Sequence, residues 1–182
     1  MEVWYALTGH IDRKEVQESI KWINDEIYSK PITFLRFLLA SGSGEIGPGI
    51  NLYTYLKALP IEVGTIAFGE MDVAATIIFL GGKRRTVVEG SQFFFREGRY
   101  TIADPTAPVH AHEEAISVFK RELQEMIHII ARETGNDGEV VAGMLRKSKI
   151  MHTDEAQDFG LVHETIAKLP LQQQEKLGFR EK

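Results

Sequence analysis

Covalent chemistry in this chain would have to start from hydroxyl side chains, because the sequence contains no cysteine. A serine becomes a nucleophile when a histidine within hydrogen-bond reach accepts its proton and a carboxylate holds the histidine tautomer. The serines weighed as nucleophiles, none of them next to a histidine in the sequence, are Ser41, Ser43, Ser91, Ser117 and Ser148. A serine–histidine pair would therefore have to be assembled by the fold.

One cluster combines histidine and carboxylate side chains, namely His110, His112, Glu113 and Glu114. Two histidines spaced by two could bind zinc, but a structural zinc site needs four ligands at fixed geometry. We favour a helix start in which both glutamates complement the positive end of the helix dipole. The sequence predicts no metal and no cofactor, and it predicts structural or surface roles for His128, His152 and His163.

Length and composition predict one soluble α/β domain. The chain has 182 residues, 43% of them hydrophobic, and a formal charge of -5, which gives no electrostatic footprint for nucleic acid. The basic runs 83–85 and 146–147 are short, and we interpret them as solvated surface charge. No apolar stretch reaches the roughly twenty residues of a membrane helix, and the lack of cysteine favours the cytoplasm.

Alternating strand and helix patterns should position these side chains. Apolar runs predict strands at 3–7, 32–40 and 61–68, and shorter strands at 86–88 and 93–95. Helices are predicted from apolar spacing over 16–27 and 52–59 and from the wholly apolar run 73–80. This βα alternation is typical of a parallel sheet that is covered by helices.

The second half of the sequence predicts one long helix. An irregular segment at 98–111 with two prolines precedes it. The helix is expected at 112–134, where apolar residues at three–four spacing indicate a face packed on the core or on another subunit; they are Ile116, Phe119, Leu123, Met126 and Ile130. Gly135 should end it in a left-handed conformation. Helices at 137–147 and from Thr153 or Asp154 follow, and 169–182 is a polar tail.

Four segments carry specific patterns in a fixed order. They are Ser-Gly-Ser-Gly-Glu-Ile-Gly-Pro-Gly at 41–49, Gly69 followed by Val-Ala-Ala at 73–75, the basic turn and phenylalanine strand of 82–96, and Asp-Glu-Ala-Gln-Asp-Phe-Gly-Leu-Val at 154–162. In this order they resemble the glycine turn, the nucleophile turn, the histidine strand and the closing signature of the proteolytic-subunit family of Clp proteases.

The resemblance implies a fold and an assembly. The expected fold is α/β, a ClpP/crotonase-like spiral of βαβ units with a protruding handle helix, here 112–134. It implies a single domain over 1–168 and stacked rings in which handles meet. The crotonase group, which shares the spiral fold and acts on acyl thioesters, is a more distant similarity.

The resemblance also implies that the catalytic triad is missing. Counting along the matched motifs, the serine position falls on Val73, the histidine position on Arg96 and the aspartate position on Ser148. Valine cannot attack a carbonyl, and arginine stays protonated and cannot act as a general base. Backbone N–H groups of Gly44 and Ala74 would still form an oxyanion-like site, because such a site needs no particular side chain.

Charged residues near these positions suggest two further ideas. Glu70 and Asp72 precede Val73, so an ion pair from Arg96 to one of them would plug the old site. The alternative, which we favour, is that Arg96 points to solvent from the end of a strand. Alternatively Glu70, Asp72 or Glu97 would serve as acid or base in acyl hydrolysis or transfer.

The leading hypothesis is a catalytically inactive relative that acts as an oligomeric scaffold or as a ligand- or peptide-binding subunit. The first alternative is an enzyme of the ClpP/crotonase superfamily that carries out a different acyl hydrolysis or transfer. The others are an active serine peptidase with relocated residues and an adaptor that binds peptides at a sheet edge. The expected partners are further copies of the chain, an active paralogue or an unfoldase, with no nucleic acid and no membrane.

Overall fold

Seven strands form one sheet in the computed structural model, which describes residues 1–98 and 104–170. The strands are β1 (Glu2–Thr8), β2 (Phe34–Ser41), β3 (Glu62–Met71), β4 (Arg84–Val88), β5 (Gln92–Phe94), β6 (Ile150–His152) and β7 (Glu164–Ile166). Along the sheet the order is β1-β2-β3-β4-β7, and these neighbours all run parallel. β5 pairs with β3 in parallel and with β6 antiparallel. The predicted parallel α/β architecture is confirmed.

Six helices connect these strands in the described part of the chain. They are α1 (Arg13–Ser29), α2 (Ile46–Ala58), α3 (Val73–Leu80), α4 (Val109–Thr134), α5 (Gly138–Arg146) and α6 (Thr153–Asp158). Every residue of α3 is buried, which explains why its sequence is almost wholly apolar. Since α3 also contacts α2 and α4, it is the central helix of the core.

An irregularity in β3 redirects its carboxyl end. The register with β2 runs evenly to the pair Leu39–Ala67, and the next pair is Ser41–Met71, so β3 carries two extra residues there. Gly69, with φ +73, sits in this bulge, and its N–H donates to the buried Ser91 Oγ at 3.0 Å. Beyond the bulge β3 pairs with β5 instead of β4, which turns the start of α3 toward β5.

The fully buried positions of the long helix α4 all lie in its second half. Its fully buried side chains are Met126, Ile129 and Ile130, and no residue between 109 and 125 is buried. Val109 and Ile116, seven residues apart and therefore on one face, are 72% and 39% exposed. The first turns of α4 thus lie outside the fully buried core.

Several predicted boundaries need correction. α4 begins at Val109 instead of 112, after Pro108, whose fixed φ of -56° suits the start of a helix. The first turn therefore contains no acidic residue, so Glu113 and Glu114 do not complement the helix dipole there. Gly135 does adopt the left-handed conformation, with φ +73. The predicted irregular segment and polar tail lie partly outside the described residues, at 99–103 and 171–182.

The basic turn is also not entirely a solvated surface. Lys83 and Arg84 are exposed, but Arg85 is 6% exposed and donates to the carbonyl oxygens of Leu161 (2.7 Å) and Gly160 (3.0 Å). Burial lowers the pKa of Arg85, and the nearby Glu133 partly offsets that effect. Arg85 therefore joins β4 to the segment before β7. No helix within 1–98 and 104–170 is long and apolar enough to span a membrane.

Candidate functional site

The three predicted triad positions meet at one edge of the sheet. Val73 begins α3 immediately after β3 and Asp72. β5 is antiparallel to β6 with Phe94 opposite Ile150, and the Phe95 N–H extends the ladder to the Lys149 carbonyl at 2.8 Å. Arg96 and Ser148 are the next residues of the two chains beyond this hydrogen bond. Because β3 and β5 are parallel neighbours, their carboxyl ends bring all three positions to the same region.

The side chains at these positions cannot form a nucleophile–base pair. Val73 is 5% exposed and belongs to the hydrophobic core. Arg96 is exposed, and its guanidinium lies 5.1 Å from the centre of the Phe94 ring. Ser148 is exposed and has φ +49, a left-handed conformation at the end of α5. None of the three residues is a histidine, so the Ser148 hydroxyl has no general base among them.

Asp72 caps the helix that follows it. Its carboxylate accepts a hydrogen bond from the Ala75 N–H at 2.9 Å, and the Ala74 N–H also interacts with it. The Asp72 N–H donates to the Ser41 carbonyl at 2.7 Å, which fixes its backbone against the end of β2. An aspartate before an apolar helical run satisfies the first free amides of the helix. Asp72 therefore places a negative charge where the amides of α3 begin.

Burial disfavours the ionised form of the Asp72 carboxyl group. Asp72 is 7% exposed, and desolvation raises the pKa of its carboxyl group. The Ala75 N–H, the Arg96 guanidinium and the Ala74 N–H all lower the pKa, but burial outweighs them. Asp72 is thus a buried acid with a pKa above its ordinary value.

The two N–H groups predicted to bind an oxyanion, those of Gly44 and Ala74, have different surroundings. Gly44 packs directly on Ala74, since a Cβ added to Gly44 would lie 2.9 Å from the Ala74 Cβ and 2.8 Å from the Ile11 Cβ. Only glycine allows this close approach. The Ala74 N–H lies near the Asp72 carboxylate and lowers the pKa of Asp72, whereas the Gly44 N–H donates to no atom of the described residues. The pair therefore does not form a vacant two-donor site.

The proposed arginine plug is not formed. Arg96 makes no ion pair with Glu70 or Asp72 within the described chain, and it acts on Asp72 only at longer range. Glu70 is exposed, and its carboxylate lies over Gly42, where an added Cβ would come within 2.8 Å of Oε2. Glu97 is exposed. Of these acids, Glu70 thus lies beside the turn after β2 and Asp72 caps α3, and neither pairs with Arg96 in the described chain.

The candidate serines have different environments. Ser91 is buried and donates to the Val88 carbonyl at 2.6 Å, and Ser41 is buried and donates to the Ser43 carbonyl at 2.7 Å, so both hydroxyls have structural roles. Ser117 is exposed on α4. Ser43 differs, because its Oγ lies 3.1 Å from His10 Nδ1.

Sequence reasoning missed His10. It follows β1 just as Ser43 follows β2, and the two strands are parallel neighbours. The sequence did contain a signal for this contact, because His10 and Ser43 each follow a predicted strand, and residues directly after adjacent parallel strands meet at one edge of the sheet.

The remaining histidines and acids form no metal-binding group. Residues 1–98 and 104–170 contain no cluster of three or more histidine, aspartate or glutamate side chains suited to a metal ion. His163 Nδ1 accepts a hydrogen bond from the backbone N–H of Arg85 at 3.3 Å. Burial, followed by the nearby Arg85, lowers the pKa of His163, so its role is structural.

Comparisons with known proteins agree with the fold. Residues 7–168 match the Clp protease family. A curated relative, the ATP-dependent Clp protease proteolytic subunit 3 of Rhodococcus jostii (strain RHA1), is 23% identical over 163 residues, which are 88% of this chain and 79% of the relative.

Solved structures are similar over most of the chain. A point mutant of ClpP1 from Listeria monocytogenes superimposes with a TM-score of 0.75 and 16% identity, covering 91% of both chains. A peptidase from Plasmodium falciparum gives a TM-score of 0.76 and 20% identity, covering 91% of this chain and 96% of that one. The family match over most of the sequence, together with this shared fold, shows that the chain belongs to the Clp protease family.

Proposed function

We propose that this chain is a non-proteolytic member of the Clp protease family that acts as an oligomeric scaffold or binding subunit. The observation that carries the proposal is the start of α3. There a buried valine stands at the expected nucleophile position, and the Asp72 carboxylate accepts the Ala75 N–H at 2.9 Å.

The chemistry of peptide hydrolysis explains why this matters. Attack on an amide needs an activated nucleophile, a base and donors that stabilise the negative oxygen of the tetrahedral intermediate. Val73 supplies no nucleophile, and Arg96 supplies no base because it stays protonated. The Asp72 carboxylate already accepts from the first amides of α3, and its charge would repel a developing oxyanion. Val73 thus leaves the site without a nucleophile, Arg96 leaves it without a base, and Asp72 makes the amides unsuitable for an oxyanion.

A peptidase assay tests the absence of proteolysis. We expect the purified protein to release no fluorophore from short peptides and no fragments from casein, beside an active family member under the same conditions. The Asp72→Ala variant frees the amides of α3 without adding a nucleophile, so it should be equally inactive. Cleavage by the unmodified protein, in proportion to its concentration and through repeated purification, would refute the proposal.

The exposed stripe on α4 supports self-association. Val109 and Ile116 continue the face that Met126 and Ile130 bury in the core, but they lie beyond the core edge. Exposed apolar side chains on one face of a surface helix are typical of a subunit contact. We infer that further copies, or an active paralogue in a mixed ring, cover this stripe, and that an unfoldase is a further partner.

Light scattering tests the assembly. The unmodified protein should have a mass several times that of one chain at micromolar concentration. Ile116→Asp should lower that mass, because it places a charge in the contact. Ser117→Asp adds the same charge at the next, exposed position of α4 and is the matched control. A monomeric unmodified protein, or equal masses for both variants, would contradict the assignment of this face.

A further inference from the structure

We propose that Ser43 and His10, neither of which is a triad position of the family, form a serine–histidine pair that hydrolyses small carboxylic esters. The pair lies at the carboxyl ends of β1 and β2, and Ser43 Oγ is 3.1 Å from His10 Nδ1. This is the reach that a general base needs to take the hydroxyl proton. The inference goes beyond the proposed scaffold function and does not depend on it.

The fold holds the two residues together by backbone bonds. Ile11 and Gly44 form an isolated parallel bridge, in which the Ile11 N–H donates to the Ser43 carbonyl at 3.1 Å and the Glu45 N–H donates to the Ile11 carbonyl at 2.8 Å. Each member of the pair is the residue before a bridge partner. The pair is therefore fixed by main-chain geometry and not by a chance contact of two flexible side chains.

Further contacts fix the two turns. The buried Ser41 hydroxyl donates to the Ser43 carbonyl at 2.7 Å. On the other strand, Gly9 has φ +92, and its N–H donates to the Ala40 carbonyl at 3.3 Å. This left-handed residue turns the chain after β1, so that His10 faces the neighbouring turn. Both turns are thus shaped around the hydrogen-bonded pair.

A donor for the reaction oxyanion stands next to the hydroxyl. Ser43 lies in a strand–turn–helix connection between β2 and α2, and in such connections the N–H of the residue after the nucleophile stabilises the oxyanion. Here that residue is Gly44, whose N–H donates to no atom of the described residues. Gly42 precedes Ser43, so glycines flank the hydroxyl on both sides and leave it open.

The reaction can be written with its atoms balanced. With the imidazole proton on Nε2, His10 Nδ1 accepts the Ser43 proton while Oγ bonds to the ester carbonyl carbon. The carbonyl oxygen becomes the oxyanion near the Gly44 N–H. Collapse breaks the bond to the alkoxide, which takes the proton from His10 and leaves as the alcohol. Water then repeats the sequence on the acyl-serine, releasing the carboxylic acid and restoring Ser43.

The surroundings indicate the class of substrate. Both side chains are exposed, and no carboxylate lies within 4 Å of a His10 nitrogen in the described chain. No hydrogen-bonded acid therefore orients the base, and the Asp72 carboxylate acts on His10 only at longer range. The pair therefore suits esters, whose leaving groups are better than those of amides. Glu70 over Gly42 and the exposed Glu45 make the site acidic. Small neutral or cationic esters fit this charge better than anionic ones.

Covalent labelling provides the test. The full-length protein is incubated with a fluorophosphonate, which bonds to the serine oxygen with loss of fluoride and the hydroxyl proton, and the adduct is located by mass spectrometry. Hydrolysis of p-nitrophenyl butyrate is measured in parallel. The variants are Ser43→Ala and His10→Asn, with Ser117→Ala and His128→Asn as controls from exposed positions of α4.

We expect one adduct, on Ser43. Ser43→Ala should abolish it, His10→Asn should slow its formation about 100-fold or more, and ester hydrolysis should fall in parallel, because a general base contributes about 10²–10⁴-fold. Both controls should react like the unmodified protein. No adduct on Ser43, or an adduct whose rate is unchanged in His10→Asn, would overturn the inference. Either failure leaves the peptidase result of the proposed function unaffected.

Discussion

Replacing Asp72 by alanine and by asparagine separates its two physical roles, the hydrogen-bond acceptor and the buried charge. Alanine removes the acceptor and leaves the Ala75 N–H unpaired in a fully buried place. Loss of a helix cap costs about 0.5–2 kcal/mol, and burial of the freed amide favours the upper end of that range. We therefore expect Asp72→Ala to lower the free energy of unfolding by about 2 kcal/mol.

Asparagine should behave differently because its side-chain oxygen can still cap α3 without a charge. Burial raises the pKa of Asp72 in the folded protein above that in the unfolded chain. Below the unfolded value, about 3.9, the carboxyl group is neutral in both states. As the pH rises through the raised folded pKa, the wild type loses stability relative to Asp72→Asn. Near neutral pH the asparagine variant should be at least as stable as the wild type.

Urea unfolding followed by circular dichroism, at fixed protein concentration between about pH 4 and 7.5, measures these differences. Asp137 is the matched control, since its exposed carboxylate caps α5 by accepting the Glu139 N–H at 2.7 Å. Alanine at 137 should also destabilise, but asparagine there relieves no burial. An Asp72→Ala variant as stable as the wild type would refute the capping. An Asp72→Asn variant as unstable as Asp72→Ala would refute the argument from burial.

Two other sites give sharp expectations for thermal unfolding. Gly44→Ala would place a Cβ 2.8 Å from the Ile11 Cβ and 2.9 Å from the Ala74 Cβ, so it should cost about 1–3 kcal/mol. Gly143→Ala in α5, where the nearest atom is 4.0 Å away, should instead stabilise by about 0.5–1 kcal/mol; equal effects would contradict the packing. Arg85→Lys should cost about 1–3 kcal/mol, because one ammonium cannot serve the Leu161 and Gly160 carbonyls together; an unchanged melting temperature would show that Arg85 does not join these segments.

The sequence predicted regular elements where the apolar pattern is long. The helix expected at 73–80 matches α3 at both ends, because every residue in it faces the core. The three-residue strands β6 and β7 were missed, since such short strands are specified by pairing with distant neighbours and not by their own periodicity.

Site residues were predictable where local rules act. An aspartate before an apolar run is the sequence pattern of a helix cap, so the role of Asp72 could have been read in advance. His10 and Ser43 lie 33 residues apart, and their contact depends on the register of β1 with β2. The ion pair considered for Arg96 is not formed, and the favoured alternative of an arginine exposed at a strand end is observed. The sequence could not decide between them, because side-chain direction at a strand end does not follow from sequence neighbours.

The internal position of Arg85 has a consequence for synthesis on the ribosome. Its partners Gly160 and Leu161 are made 75 and 76 residues later, yet β4 can pair with β3 as soon as it emerges. Until then the guanidinium lacks two of its three carbonyl acceptors, the third being Glu133, and the edge of β4 that later pairs with β7 stays open. The nascent chain can therefore build the sheet from β1 to β4 but can complete it only after residues 160–166 have left the ribosome.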